Sequence, residues 1–406
     1  MQRLQEPTFV DKKYLIYLLV LAILTCSIEI DISVPSFPDI SDYFGISDGL
    51  TQMTVALNFL GFCISSVIYG PLSDSFGRRK IMLFGNAIMV IGACGCSISY
   101  TIEFLLFSRF IQGIGASTSA VVVFSIIADS YSNRESSRLV GVMNSLITVF
   151  MSVAPLVGSA INEVVGWRGN YILIATLSII SYAMMHFFLP ETKGRFNQFK
   201  YRDIVSDYKK LLTDKAFLYA SFVPSLFYAA WLSFVACSSF LYMESYKLPI
   251  MYYAIHQAII ISAFSITSFY SGKIASAIGE RKCIIYGSSF AIVASSTLTI
   301  LSTLAMDSPY LTTIFMSTYG IGSAISYPVI FAKSLTIFPN ISGTASSSIM
   351  AMRALMCAGF VALSSYLYQG SLLTVALIIL LIAFLIAFFS LRLLKMLSFD
   401  KNSYST

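Results

Sequence analysis

The sequence predicts an all-α integral membrane protein of twelve transmembrane helices, arranged as two six-helix bundles of related design. Three observations carry that prediction. The 406 residues are 57% hydrophobic and only 11% charged, with a mean hydropathy of +0.78, whereas a soluble protein carries about 25% charged residues. Apolar runs of about 20 residues, long enough to cross a hydrocarbon core of about 30 Å, recur with only short polar breaks. The basic residues fall almost wholly in alternate loops. Backbone amides in lipid must bond within their own segment, and runs this uniformly apolar exclude the alternating strands of an outer-membrane barrel, so the spans are helices.

The first span, 14–36, follows Lys12 and Lys13 much as a signal peptide would. It is too long for one, carries Glu29 and Asp31 and lacks a small-residue cleavage site, so it reads as an uncleaved helix. The second, 50–71, runs into "GPLSDSFGRRK". Gly70 and Pro71 are expected to end it sharply, since glycine tolerates the exit turn and proline cannot continue the ladder. Asp74 just outside can pair with a cation or accept from helix amides, and Arg78, Arg79 and Lys80 cannot be drawn into lipid. With Gly70 and Gly77 these residues form a candidate latch on one conformation. Spans 81–99, 104–128, 139–162 and 168–189 complete an amino-terminal bundle, 1–190.

Residues 191–215, "ETKGRFNQFKYRDIVSDYKKLLTDK", form a polar linker. Its mixed charge suits either an amphipathic helix along the membrane surface from Arg202 to Leu212 or a solvated loop. Spans 216–242, 250–271, 283–305, 310–332, 343–367 and 371–395 then make a carboxy-terminal bundle, 216–406. Between the second and third of these stands "GKIASAIGERK", 272–282, a degraded echo of 70–80 at the equivalent place. Repetition after six helices suits a transporter plan with a midplane site between two bundles.

The net charge of +6 is a matter of topology rather than of nucleic-acid binding. With an inside amino terminus, the cytoplasmic side collects Arg3, Lys12, Lys13, Arg78, Arg79, Lys80, Arg134, Arg138, Lys193, Arg195, Lys200, Arg202, Lys209, Lys210, Lys215, Lys273, Arg281, Lys282, Lys333, Arg392, Lys395 and Lys401, leaving only Arg168 and Lys247 outside. That asymmetry predicts two cytoplasmic termini and a cytoplasmic-type membrane. The seven cysteines, at 26, 63, 94, 96, 237, 283 and 357, all lie in or beside apolar helices and read as free thiols. Cys94 and Cys96 point to different helix faces and no second ligand pair follows, so no metal is expected. No G-x-x-x-x-G-K-[ST] loop, haem or redox motif occurs. Neither an enzyme nor a cofactor is therefore expected, and the partners are a small-molecule substrate, protons and lipid around a monomer.

Ionisable groups inside spanning helices are functional candidates by default: Glu29, Asp31, Arg109 and Arg353. The first helix runs outward and the fourth inward, which puts Asp31 and Arg109 at similar depth in the outer half. A carboxyl group in an apolar cavity is pulled toward its neutral form by desolvation and toward its charged form by a cation, the property a proton carrier needs. Asp31 is the leading proton-coupling candidate and Glu29 the second, with Arg109 tuning them; two positions apart, the acids do not share a helix face. The alternative is a permanent ion pair with Arg109 that only locks packing. Arg353 has no intramembrane acid in its own half; it binds an anionic group of the substrate, reaches across to the first bundle, or snorkels toward water. His186 and His256 suit interface positions better than proton relay. Gly113, Gly115, Gly141 and Gly158 suit close helix approach. Gln112, Tyr228, Trp231, Tyr319 and Tyr327, with Arg353, are candidate cavity residues for flat or cationic molecules, Phe234 standing beside them.

Four separated motifs resemble those of the major facilitator superfamily, and within it the twelve-helix drug:proton antiporters related to the Bcr/CflA and MdfA-type exporters. The G-x-L-x-D-x-x-G-R-R-K pattern is matched by Gly70, Leu72, Asp74, Gly77, Arg78, Arg79 and Lys80, and R-x-x-Q-G-x-G by Arg109, Gln112, Gly113 and Gly115. The fifth-helix antiporter motif is matched at Pro155 and Gly158, while Ala154 and Ser159 stand where the family carries glycine. "EIDISVPSFPDISDYFG" resembles the subfamily's D-x-x-x-P segment, with Asp31 as its acid. The resemblance implies a proton-coupled antiporter exporting small amphipathic or cationic compounds by alternating access, with Pro155 and Gly158 limiting proton leak. Proton-coupled uptake of a nutrient such as an amino acid or siderophore is the rival within transport. A non-transporting sensor of the same fold is the rival outside it.

Overall fold

The computed structural model describes residues 12–193, 201–338 and 341–396. Both termini, and Arg3, Arg195, Lys200 and Lys401 of the predicted cytoplasmic set, lie outside them. All regular structure among the described residues is helical. α1 (Lys12–Ser33) passes through a 3-10 turn (Val34–Ser36) into α2 (Phe37–Phe44), and the two act as one span. Then come α3 (Asp48–Phe76), α4 (Arg78–Ser97), α5 (Ile102–Ser130), α6 (Asn133–Val165) and α7 (Trp167–Phe188). The linker contributes α8 (Tyr201–Thr213). α9 (Lys215–Ser239) continues as a π-helical turn (Phe240–Ser245), followed by α10 (Ile250–Ile278), α11 (Glu280–Thr303), α12 (Pro309–Ile337), α13 (Ser342–Leu367) and α14 (Leu372–Met396). Apart from α8 these make 12 spans long and apolar enough to cross a membrane.

Local chemistry sets the breaks. Pro35 and Pro38 stand in the first turns of their short helices, where the missing N–H has no partner to lose. Ser47, Thr101 and Asp214 cap α3, α5 and α9, and Ser132 with Glu135 forms a capping box on α6. Serine and threonine hydroxyls within the spans, such as Ser66, Ser178, Ser221 and Ser295, bond back to carbonyls of the preceding turn. No hydroxyl so engaged faces hydrocarbon unsatisfied.

The second span does not end at Gly70 and Pro71. Pro71 lies inside α3, which runs on to Phe76. Proline leaves the Val67 carbonyl, four residues back, without its helical donor, and the Tyr208 hydroxyl of α8 donates to that oxygen at 2.8 Å. The orphaned acceptor is thus satisfied from outside the helix, and α3 has no need to stop. The break comes at Gly77, with φ +102° and ψ 146°, a backbone that residues with a Cβ rarely adopt. Gly279, between α10 and α11, repeats it with φ +87° and ψ 150°. The echo between 70–80 and 272–282 therefore extends to the backbone.

Helices before α8 pack mainly on one another, through α4 with α5, α3 with α5, α4 with α7 and α1 with α6; those after it do likewise, through α11 with α12, α10 with α12 and α9 with α13. Two seams join the sets, α3 against α13 and α6 against α10. Each seam sets the second spanning helix of one set against the fifth of the other, the exchange that a repeat of six requires. At the end carrying α2 the two sets meet tightly: the Phe37 and Phe240 rings lie 6.4 Å apart, and a Cβ on Gly49 would strike the Ser365 backbone. At the opposite end α8 bridges the sets. Tyr208 holds α3, while Leu211 is buried with Phe217, Ala345 and Ile349 of α9 and α13. Of the two linker alternatives the helix is observed, docked on protein through these residues.

Candidate functional site

The four predicted intramembrane ions separate into three environments. Glu29 and Arg109 meet inside the first set of helices, 2% and 0% exposed, with Arg109 Nη1 3.8 Å from Glu29 Oε2. Asn58 of α3 donates to Glu29 Oε1 at 3.2 Å and to the Arg109 carbonyl at 3.3 Å. Gln112, one turn along α5, accepts from Arg109 at 2.8 Å, and the Arg109 guanidinium lies 5.8 Å from the Tyr171 ring centroid. The arginine's carboxylate is Glu29, not Asp31. The reason is angular: residues two apart on a helix project about 200° apart, so only one can face α5.

Asp31 faces the other way. It is buried, 5% exposed, and forms no ion pair among the described residues. It lies within electrostatic range of Tyr228 of α9 and Tyr253 of α10, on the side of the second set of helices. Gly158 of α6 supports this region from behind, because a Cβ there would run into the Ile32 backbone of α1. Pro155 lies inside α6, one turn earlier. Gly113 and Gly115 make the predicted close approaches, to the backbones of Asn58 and Met89, and Gly113 thereby holds the Asn58 that bridges Glu29 and Arg109. Gly141 makes none: nothing lies within 4 Å of where its Cβ would stand. It occupies the part of α6 that turns away from neighbouring helices.

Arg353 joins Tyr327 and Tyr228 where α13, α12 and α9 meet. Its Nη1 donates to Tyr327 Oη at 3.3 Å and its guanidinium carbon lies 5.0 Å from the Tyr228 ring centroid. Tyr228 also packs on Phe59 of α3, centroids 6.2 Å apart, across the α3 seam. Of the remaining cavity candidates, Gln112 is held by Arg109, Tyr319 is buried with its hydroxyl donating to the Phe227 carbonyl, and Trp231 packs on Phe234. His186 is exposed at the end of α7, its carbonyl accepting from Arg79. His256 is buried, with Nδ1 2.7 Å from Thr313 Oγ1.

The predicted latch is a charge network at the α8 end. Arg78, 5% exposed, pairs with Asp74 at 2.7 Å and with Asp129 of α5 at 2.8 Å. Lys193 also pairs with Asp74 at 2.7 Å. Glu191 accepts from the backbone amides of Arg78 and Arg79, replacing the side-chain cap that Gly77 cannot supply to α4. A Cβ on Gly70 would meet the Ser347 side chain of α13, so the network lies beside the seam. Asn58, Asp129, Glu191 and Lys193 were not singled out from sequence. Asn58 alone left a clear signal, a primary amide in the middle of an apolar run.

The Major Facilitator Superfamily family model matches residues 19–361. The chain belongs to the Major Facilitator Superfamily. Among superfamily relatives, it is 21% identical over 89% of its length to the chloramphenicol resistance protein CraA of Acinetobacter baumannii, covering 88% of that protein. It is 25% identical over 84% of its length to the bicyclomycin resistance protein homolog of Haemophilus influenzae, covering 87% of it. The partially occluded inward open structure of the xylose transporter XylE from Escherichia coli aligns with a TM-score of 0.73 at 15% identity, over 97% of this chain and all of that one. The protein is accordingly a multi-pass membrane protein with the all-helical major facilitator fold.

Proposed function

We propose that the protein is a proton-driven exporter of small amphipathic compounds, working by rocking of an amino-terminal unit, 1–190, against a carboxy-terminal unit, 216–406, joined by the linker. The observation that carries the reading is Asp31: a buried carboxyl group without an ion-pair partner among the described residues, turned toward the tyrosines of the opposite set. Such a group changes its proton occupancy when water reaches it from one side or the other. Glu29, neutralised by Arg109, braces the helix that carries it. The network of Gly70, Asp74, Gly77, Arg78 and Arg79 holds one state at the α8 end, and Pro155 with Gly158 keeps α6 against α1. Resistance to chloramphenicol and bicyclomycin in the names of the relatives supports export over uptake.

The energetics need no cofactor. One proton moving inward releases about 1.4 kcal/mol per pH unit and about 2.3 kcal/mol per 100 mV. Together these sustain a gradient of roughly several hundredfold in a neutral solute. On the distribution of basic residues the α8 end and both termini lie in the cytoplasm, with the monomer in a bacterial inner membrane.

The test is direction. Everted vesicles containing the protein, given an inward-acid gradient, should accumulate ethidium or chloramphenicol and lose that accumulation when the gradient is collapsed. Gradient-driven uptake into right-side-out cells with no efflux would make it an importer. Gradient-insensitive equilibration in both preparations would leave only the fold.

A further inference from the structure

We infer that the face formed by Arg353, Tyr327 and Tyr228 is an anion-recognition site, taking the carboxylate of an amphipathic organic acid whose apolar body lies against Tyr228 and Phe59. The inference deepens the exporter reading by naming a substrate class, and rests on that reading for the word substrate alone.

The argument starts from charge balance. The two buried arginines among the described residues, Arg78 and Arg109, each have carboxylates: Asp74 and Asp129 for the first, Glu29 for the second. Arg353, near the middle of α13, has none within ion-pairing distance among the described residues. Its Nε is buried with no acceptor, and its one hydrogen bond goes to a neutral hydroxyl. The residue as a whole is partly exposed, and a guanidinium held in mid-membrane without a carboxylate is unfavourable unless something compensates it. The Tyr228 ring does so in part, and a cation–π contact stabilises the charge without neutralising it. The site therefore keeps its positive charge for a partner not supplied by the protein.

Direction and shape agree. A snorkelling arginine sends its head to water at a membrane end, whereas Arg353 is tied sideways to Tyr327 and acts electrostatically on Cys26 of α1, across the junction of the two sets. Tyr327 Oη accepts from Arg353, so its own proton is free for a second oxygen. A planar guanidinium edge beside a hydroxyl donor matches the two oxygens of a carboxylate. Tyr228 and Phe59, facing each other across the α3 seam, and Tyr327 stacked on Phe331 with centroids 5.8 Å apart, offer flat apolar surface next to that charge.

The experiment uses three probes of one shape: 4-phenylbutyrate, 4-phenylbutylamine and 4-phenylbutan-1-ol, titrated calorimetrically into the purified full-length protein. The wild type should bind the acid at least tenfold more tightly than the alcohol or the amine. Arg353→Gln should weaken the acid by about ten- to hundredfold, the worth of charged hydrogen bonds, and leave the alcohol unchanged. Tyr327→Phe should weaken the acid by about three- to fivefold, and Arg353→Lys should fall between wild type and Arg353→Gln. Equal affinity of wild type for acid and alcohol overturns the inference, and so does unchanged acid binding in Arg353→Gln and Tyr327→Phe. Should Arg353→Gln not yield monodisperse protein, the wild-type preference and Tyr327→Phe decide. Gradient-driven accumulation of 4-phenylbutyrate or of ethidium in everted vesicles, measured above protein-free vesicles, separates the two readings. Transport without acid preference removes the anion site alone, and acid preference without transport removes the exporter reading alone.

Discussion

Breaking the Glu29–Arg109 pair should damage the protein more than deleting it whole. Both side chains are sealed from solvent and their charges stand 3.8 Å apart. At an effective dielectric constant of about 20, two unit charges at that separation attract by about 4 kcal/mol. Arg109→Met leaves the Glu29 carboxylate with the Asn58 amide on Oε1 and with Oε2 unpartnered. Glu29→Gln leaves the Arg109 guanidinium with Gln112 and the Tyr171 ring, and no carboxylate. Each single change should cost about 3–5 kcal/mol, the usual penalty for stranding one member of a buried pair. The double variant strands neither, so it should be more stable than the sum of the singles by about 2–3 kcal/mol. Unfolding by sodium dodecyl sulfate titration from mixed micelles, followed by tryptophan fluorescence, measures all four corners of the cycle. If the singles and the double add to within about 0.5 kcal/mol, the two groups are not coupled and the separate roles given to Glu29 and Asp31 lose their basis.

Asp31→Asn should show the opposite signature: stability within about 1 kcal/mol of wild type, because no ion pair is broken, but at least tenfold less gradient-driven ethidium accumulation in everted vesicles. Tyr208→Phe removes the donor to the Val67 carbonyl and should cost about 1 kcal/mol while raising maleimide labelling of single cysteines placed along the α8-end seam. Burial pushes the Tyr208 phenol up to about 12, so the hydroxyl remains a donor and that labelling should stay constant from pH 6 to pH 9. Gly141→Ala should stabilise by about 0.5–1 kcal/mol, as alanine for glycine does in an uncrowded helix interior. Gly158→Ala, forced against the Ile32 backbone, should destabilise by about 1–3 kcal/mol, and thermal unfolding of the two variants checks the contrast.

The fold was almost fully legible because a bilayer leaves few choices. Twelve apolar runs can only be helices, and their breaks carry ordinary signals such as Ser47, Thr101 and the Ser132–Glu135 box. Errors arose where a partner distant in sequence changed the local answer. Gly70 and Pro71 would end an isolated helix, but a tyrosine 137 positions beyond Pro71 takes the carbonyl that Pro71 abandons, and α3 continues to Phe76. No window around Pro71 contains that information. Gly141 failed for the converse reason: small residues permit close approach without causing it, and a helix that turns from its neighbours leaves the permission unused.

For the site, residue types were legible and rotations were not. The membrane makes every intramembrane ion conspicuous, so Glu29, Asp31, Arg109 and Arg353 announced themselves. Which acid faces Arg109 depends on the angle of α1 about its own axis, and that angle is fixed by contacts sequence does not display: Gly158 under Ile32, and Gly113 under the backbone of the Asn58 that bridges the pair. Once α1 is set, the 200° between Glu29 and Asp31 leaves no freedom. The acid turned to α5 meets the arginine, and the acid turned to α9 and α10 has no ion-pair partner among the described residues. The same logic explains why Gly113 and Gly158, which touch no ionisable group, bear on the arrangement of the two acids. A Cβ at Gly158 would push against the Ile32 backbone of α1, and one at Gly113 against the Asn58 backbone of α3, disturbing the contacts that set which acid faces the arginine.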